Sequence, residues 1–445
     1  MARFLLCTTP LTGHIGPGLS IASTLVERGH EVRWYTGRMF RAKIETTGAR
    51  FEPFHAAPEF DEQDLDASFP GISRRTGLSA FKFGLKHLFI DSASGQLEDI
   101  RRILAEFPAD VLLSDTAFVG SVFVYEKGGP PWAVYSAWPL TLNSRDTAPF
   151  GLGLPPAASP LGRLRNRGLY RLFDRVLFRD VNVHYDRARN SVDLPPSRAG
   201  ILNDIVSPYL HLQGTTNLFE YPRSDLPPQV HFVGPFLSGS SNDDFVPPAW
   251  WGELLDGRRP VVHVTQGMVA TEADQLLVPS IQALASEDVL IVATTGGKPP
   301  ECVDLDPLPA NTRMERFIPH HHLLPHVEVM VTNSGYGGVL NALASSVPLV
   351  AAGRTEEKPE VCARVAWAGV GINLKTNRPS PARIREAVQA ILSDPQYKLN
   401  AMRIQTDFAR HDAPVEASIL LERLAATKRP VTVSPNSIQE ERGIG

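Results

Sequence analysis

Three groups of residues have types and spacing suited to chemistry. His14 stands in TTPLTGHIGPG, between an apolar run, Phe4 to Thr9, and a helical pattern from Pro17 to Arg28. An imidazole titrates near neutral pH and can accept a proton from a reacting group. Gly13 and Gly16 bracket it, so the stretch reads as a flexible turn that lifts the side chain above the strand ends. A solvent-facing loop histidine is the plainer alternative. In the second group, VTNSGYGGVLNALASSVPLVAAG, Gly335, Gly337 and Gly338 open a helix directly after a buried strand. Backbone N–H groups at such a turn approach an anion at the positive end of the helix dipole, which suits a diphosphate. The run does not fit G-x-G-x-x-G, and no acidic residue follows at the dinucleotide distance. A second turn of this kind, TQGMVAT (Thr265 to Thr271), also follows a strand. The third group suggests metal: His320, His321, His322 and His326, and the D-x-D triplets Asp64 to Asp66 and Asp304 to Asp306. Adjacent histidines rarely point at one ion, and neither triplet follows a buried strand, so no metal site is expected.

The elements that must position these groups alternate along the chain. FLLCTT, EVRWYT, DVLLSD and WAVYSAW are strands separated by helical stretches. The second half restarts with PVVHVTQG, a helix from Glu272 to Ser286, VLIVATTGG, MERFI, VMVTNSG and PLVAAG. This βαβ alternation predicts an α/β protein of two doubly wound, parallel-sheet, Rossmann-like domains facing across a cleft. Its length of 445 residues is too great for one compact core. A net charge of −4 argues against a nucleic-acid binder. Cys7, Cys302 and Cys362 form no CxxC pair, so neither a disulfide framework nor a zinc knuckle is indicated. The apolar start is too short and lacks the cleavage site of a signal peptide, and no window reaches about 20 apolar residues. A cytoplasmic protein without a transmembrane segment is expected.

RFIPHHHLLPH, VTNSGYGGVLNAL and VPLVAAGRTEEKPEVCARV together resemble the donor-binding signature of family 1 UDP-glycosyltransferases. GHIGPGLSIA is similar to that family's opening motif, in which a histidine faces the acceptor. The resemblance spans nearly the whole chain. It implies the GT-B fold of bacterial and fungal natural-product glycosyltransferases. The expected parts are an acceptor-binding domain over 1–215, a linker over 216–245 and a nucleotide-sugar domain over 246–410. A C-terminal helix over 411–430 returns to the first domain, and a loose tail follows over 431–445. Carried over by position, Phe317 and Ile318 stand where the family holds the uracil. Thr265, Gly267, Ser334, Gly335, Gly337 and Gly338 fall where it contacts the diphosphate. Glu357 and Lys358 occupy the place of its acidic–amide pair for the sugar hydroxyls. This chain departs from the pattern with Asn333 for a histidine near the phosphates, Asn341 for a ribose-binding glutamate, and Lys358 for a glutamine. An amide can still hydrogen-bond phosphate or ribose.

The same resemblance makes His14 the general base and Asp115 the carboxylate that orients and stabilises its imidazolium, by the logic of a Ser-His-Asp system. It implies an inverting, metal-independent hexosyltransferase with no cofactor. The co-substrate is a UDP-sugar or TDP-sugar, with glucose expected, and the acceptor is a hydroxyl on an apolar small molecule such as a polyketide, flavonoid or sterol. A catalytically silent relative that binds the nucleotide sugar and helps a partner enzyme is the alternative. Aromatic residues between Phe60 and Phe89 and the loop Trp138 to Leu154 are expected to line an apolar acceptor site, with Phe81, Phe83 and Trp138 as candidates. Arg163 to Asn190 holds eight Arg against three Asp at helical apolar spacing. It reads as an amphipathic helix pair, either salt-bridged to its own surface or resting on anionic lipid.

Overall fold

The computed structural model describes residues 1–62, 64–72, 74–75, 77–136, 138–237, 245–267 and 273–433. The expected linker core Gly239 to Asp244, residues 268–271 of the TQGMVAT turn and residues 434–445 lie outside the described residues. The chain divides into two compact units. One holds residues 1–152, 156–236 and 411–445, and the other 153–155 and 237–410.

The first unit is built on β1 (Arg3–Cys7), β2 (Glu31–Thr36), β3 (Arg50–Pro53), β4 (Val111–Asp115), β5 (Trp132–Tyr135), β6 (Leu210–Gln213) and β7 (Val230–Phe232). They form one sheet in the order β3-β2-β1-β4-β5-β6-β7, with every neighbouring pair parallel. Alternate residues feed two cores, as a sheet covered on both faces requires. Leu5, Cys7, Leu112, Trp132 and Val134 pack into one, while Phe4, Leu6, Val111, Leu113, Ala133 and Tyr135 pack into the other. The strand order turns around between β1 and β4, which opens a crevice at their carboxyl ends.

The helix after β1 runs over Thr12–Glu27 and so begins five residues earlier than its sequence suggested. His14 therefore sits in the first helical turn and not in a flexible loop. The start is fixed from a distance: the Thr12 N–H donates to Glu62 Oε2 at 2.7 Å, and its hydroxyl also pairs with Glu62. Gly18 lets this helix lie close on the sheet, since a Cβ there would meet Trp34 at 2.8 Å.

The helix Ala413–Thr427 also belongs to this unit. Ala417, Leu421 and Leu424 are buried in the same cluster as Ile15, Ile21 and Leu25 of the His14 helix. Arg28 Nε and Nη2 each donate to Glu422 at 2.8 Å, and Lys428 Nζ reaches Asp110 Oδ1 at 2.8 Å. Residues just after it are fixed too. Val431 N donates to Tyr209 O at 2.9 Å and Val433 N to Pro228 O at 2.7 Å, so the loose tail does not start at Val431. Residues 216–236, expected as linker, carry β7 and complete this unit.

The second unit holds β8 (Val261–Thr265), β9 (Leu290–Thr294), β10 (Thr312–Glu315), β11 (Val329–Thr332), β12 (Leu349–Ala351) and β13 (Gly371–Asn373). The order is β10-β9-β8-β11-β12-β13, again parallel, so its crevice lies between β8 and β11. The helix expected over Glu272 to Ser286 is shorter, Leu277–Leu284. Gly153 joins this unit by donating its N–H to Glu360 Oε1 at 2.7 Å.

Candidate active site

The register of β1 on β4 sets Cys7 beside Ser114, which puts Asp115 against the residues that leave β1. There, His14 Nδ1 lies 2.7 Å from Asp115 Oδ1. The Asp115 side chain is fully buried, and His14 keeps 12% of its own exposed. A buried carboxylate needs donors. Asp115 has them in the Thr9 N–H on Oδ2 at 2.7 Å and the Ala117 N–H on Oδ1 at 2.8 Å. The Tyr135 hydroxyl donates to the His14 carbonyl at 2.5 Å and ties this turn to the sheet. Cys7 and Tyr135 lie close by with pKa values well above normal, mainly through burial and then through the Asp115 charge. Both remain neutral there. A Cβ at Gly13 or Gly16 would meet nothing within 4 Å, so open space adjoins the histidine.

Aromatic rings surround His14. Trp138 meets it edge-on at 5.7 Å and Phe89 lies at 6.2 Å, with Trp138 and Phe150 in turn 6.4 Å apart. Phe81 joins the group through Phe150 at 5.8 Å. Phe83 does not. It faces the His87 ring at 4.5 Å and lies under the Arg75 guanidinium, away from this group. The buried indole Nε1 of Trp138 has no hydrogen-bond partner among the described residues. Phe89 and Phe150 were legible only as members of aromatic-rich stretches.

In the second unit the two glycine-containing turns meet at the β8–β11 crevice. The Asn333 side-chain amide donates to the Gln266 carbonyl, and a Cβ on Gly267 would come within 3.3 Å of that amide. Gly267 is left-handed at φ 74°, and Ser334 adopts φ 67° just before Gly335, the N-cap of the helix Tyr336–Ala344. Thr265 ends β8, and its hydroxyl takes a long 3.4 Å bond from Gly267 N. Cβ atoms at Gly335 or Gly337 would meet nothing within 4 Å, and at Gly338 only the Met330 methyl at 3.9 Å. The helix start is thus open to an approaching group. Asn341 lies in the same helix, where its Nδ2 donates to Gly337 O at 2.8 Å.

A pocket beside these turns is lined by Gln266, Asn333, Gly353, Thr355, Lys358 and Asn377, among others. Lys358 is buried, and burial works against its charge, but the Glu356 and Glu357 carboxylates prevail and hold its pKa above the ordinary lysine value. Its ammonium pairs with Glu356 and lies 3.2 Å from Thr355 Oγ1. Glu357 is the N-cap of the helix Lys358–Trp367. Phe317 is 61% exposed after β10, whereas Ile318 is 2% exposed. Gln266 stands inside the TQG turn and was legible as its neighbour. Thr355 lies within the quoted VPLVAAGRTEEKPEVCARV stretch but was not singled out, and Asn377 comes from a loop without a motif.

The histidine run is dispersed. His320 is half-buried beside His263 with its pKa lowered to about 4, mainly by desolvation and then by His321. His322 stacks on Phe245 at 4.7 Å, and His326 meets Trp251 edge-on. Asp64 caps the short helix Leu65–Ser68 and Asp66 accepts from Gly71 N at 2.9 Å. Among the described residues, one trio brings metal-ligating atoms within 4.8 Å of one another: His87, Asp91 and His184. Asp91 already accepts from His87 Nδ1 at 2.8 Å and His184 Nε2 at 2.6 Å, so the trio is satisfied without an ion.

A family model described as the C-terminal domain of erythromycin biosynthesis protein CIII-like proteins matches residues 279–424. The chain is 52% identical over 424 residues to 4'-demethylrebeccamycin synthase of Lentzea aerocolonigenes, covering 95% of this chain and 99% of that protein. It is 33% identical to UDP-glycosyltransferase 2 of Phaeomoniella chlamydospora over 95% of both. Among solved structures it is similar to the calicheamicin glycosyltransferase CalG4, with a TM-score of 0.72 at 21% identity over 96% of this chain and 99% of that one. It is also similar to the spinosyn rhamnosyltransferase SpnG complexed with thymidine diphosphate, with a TM-score of 0.65 at 17% identity over 94% of this chain and 100% of that one. Two parallel-sheet units, a carboxylate-held histidine at one switch point and paired glycine turns at the other thus accompany full-length relatives, and the chain belongs to the family 1 UDP-glycosyltransferases of natural-product type, with the GT-B fold.

Proposed function

We propose that this glycosyltransferase inverts the anomeric centre as it moves a hexose from a UDP- or TDP-sugar to a hydroxyl of an apolar polycyclic acceptor. The observation that carries the reading is the His14–Asp115 pair amid Trp138, Phe89 and Phe150. With Nδ1 engaged by Asp115, Nε2 takes the acceptor's proton while the acceptor oxygen bonds the anomeric carbon. The bond from that carbon to the diphosphate oxygen breaks on the opposite face, and the diphosphate leaves with the electron pair. Asp115 offsets the positive charge that His14 gains. The helix start at Gly335–Gly338 receives the diphosphate and balances its growing charge, with no metal in the step. Phe317 stacks on the base, Ile318 supports that segment, and Glu357 and Lys358 meet the sugar hydroxyls.

The donor preference extends to TDP-sugars because SpnG was solved with thymidine diphosphate. The acceptor is read from two supports. The aromatic group suits a flat apolar body, and the Trp138 N–H, unpartnered among the described residues, suits an oxygen on that body. The 52%-identical relative is named for 4'-demethylrebeccamycin, so the sugar-free part of that compound is the first acceptor to try. Purified protein is incubated with this acceptor, a flavonoid and a macrolide, each against UDP-glucose and TDP-glucose. A mass gain of one hexose, with a β-linkage by coupling constants, is expected. A retained α-linkage would overturn the inverting step, and transfer only to polar acceptors would overturn the acceptor class.

A further inference from the structure

The helix Pro160–Leu172 and its continuation Phe173–Leu177 carry an apolar stripe that faces solvent. Leu161 is 80% exposed, Leu164 62%, Leu172 50% and Val176 63%. The inner face of the same helix is closed by Gly162, Asn166 and Phe173, all buried. At 3.6 residues per turn, positions 161, 164, 168 and 172 of the α-helix fall on one side, a line about 17 Å long at 1.5 Å per residue, and Val176 is exposed in the wider-wound continuation.

Charge is distributed around this stripe. Between Pro160 and Arg179 the sequence holds six arginines and one acid, Asp174, in a protein of net charge −4. Arg163 turns inward to Asp146 at 2.7 Å. The side chains of Arg167, Arg171, Arg175 and Arg179 are exposed and make no ion pair or hydrogen bond among the described residues. On the helical projection Arg165 flanks the stripe beside Leu172 and Arg171 flanks it beside Leu164, while Arg167 and Asp174 lie together farther round the helix. Of the expected solvated, salt-bridged face, the ion pair is found at Arg163, while Arg167, Arg171, Arg175 and Arg179 are solvated only.

We propose that this face docks the protein on an anionic lipid bilayer. The helix would lie in the headgroup plane with Leu161, Leu164, Leu172 and Val176 among the acyl chains, and the arginines would reach up to lipid phosphates. A second copy is a poor occupant, because a two-fold pairing of this face sets arginine against arginine. A protein hot spot normally centres on an aromatic anchor in a pocket, and this stripe is aliphatic, narrow and convex. Anionic phosphates beneath a shallow apolar layer match both the charge and the shape.

Flotation of the full chain with vesicles of phosphatidylcholine, with and without phosphatidylglycerol, tests this. The wild type is expected to float with the anionic vesicles, to release as salt rises, and to bind neutral vesicles much more weakly. Removing one arginine, as in Arg171→Gln, weakens binding by about fivefold. Leu164→Glu with Leu172→Glu abolishes it while circular dichroism and turnover on a soluble acceptor stay unchanged, since both positions are exposed. Failure of the wild type to float overturns the proposal, and so does equal binding to neutral vesicles or unaltered flotation of the variants. Light scattering that shows a dimer lost in Leu164→Glu assigns the face to a second copy and equally overturns it.

Discussion

His14 Nδ1 and Asp115 Oδ1 stand 2.7 Å apart although 101 residues separate them in the chain. The parallel pairing of β1 with β4 brings them together, and the backbone of Thr9 and Ala117 fixes the carboxylate. His14→Ala should lower turnover by roughly 10²- to 10⁴-fold, the usual worth of a general base. An acidic phenol should suffer less than an aliphatic alcohol, because it needs less help to lose its proton. Steady-state rates on matched acceptors check this, and near-wild-type turnover on an alcohol would remove His14 from the mechanism.

Asp115→Asn should damage more than charge balance. The two carboxylate oxygens accept from different backbone N–H groups, so the amide NH₂ must face a donor whichever way it turns. Loss of about 1–3 kcal/mol of stability is expected, together with a fall in turnover. The double variant with His14→Ala should turn over little more slowly than His14→Ala alone, since groups that act as one unit are not additive. Additive losses in the double variant would show the two residues acting separately.

These same residues show what was legible in the sequence. The buried strands FLLC, VLLSD, VVHVT and VMVT are apolar runs ended by turns, and each was read as a strand. RFEP, LHLQ, VHF and GIN are as short but mixed in polarity, and their strand character comes from the sheet neighbours they pair with. The helix start at Thr12 was hidden because its partner is Glu62, far along the chain. Phe81 and Phe83 are two residues apart and looked equivalent, yet only Phe81 joins the aromatic group, because alternate positions on that helix face different sides. The glycine turns were legible since their backbone needs are local.

Gly337→Val probes the diphosphate assignment cleanly. A Cβ there meets no protein atom within 4 Å, so an intact fold is expected by circular dichroism. The added methyl groups would occupy the space above the helix start and weaken UDP or TDP binding by about tenfold or more, the worth of a lost bond to a charged group. Calorimetry that finds unchanged affinity with the fold intact would move the diphosphate elsewhere.

Lys358 separates donor choice from chemistry. Its buried ammonium lies between Thr355 and Glu356, next to Glu357. Lys358→Gln should shift the ratio of rates between UDP-glucose and a TDP-deoxysugar while leaving the pH profile of turnover in place, since the proposed base is His14. A shifted pH profile with constant donor ratio would contradict this.

Turnover should persist in EDTA. The histidine run is dispersed and the His87–Asp91–His184 trio is hydrogen-bonded within itself, on a face where Phe83, not Phe81, is found. Full and reversible loss of activity on chelation, restored by one divalent ion, would place a metal in the reaction.

Glu422 provides a pH test of how the C-terminal helix is held. Hydrogen bonds from Arg28 and then His30 bring its pKa down to about 2 against burial, from an ordinary glutamate value near 4.5. A depressed carboxylate favours the folded state at every pH above its unfolded pKa. That contribution fades as the pH falls from about 4.5 toward about 2, where the folded form also takes up its proton. Glu422→Gln should therefore lower the urea midpoint at pH 7, and a gap should persist down to about pH 5. The gap to the wild type should then close between pH 4.5 and pH 2, because the protonated glutamate resembles the amide. Hydrogen exchange in Ala413–Thr427 should quicken in the variant at pH 7, since Glu422 ties that helix to Arg28 at the end of the His14 helix. A gap that stays constant across the acid range would show that packing of Ala417, Leu421 and Leu424 holds the helix and that the ion pair adds nothing.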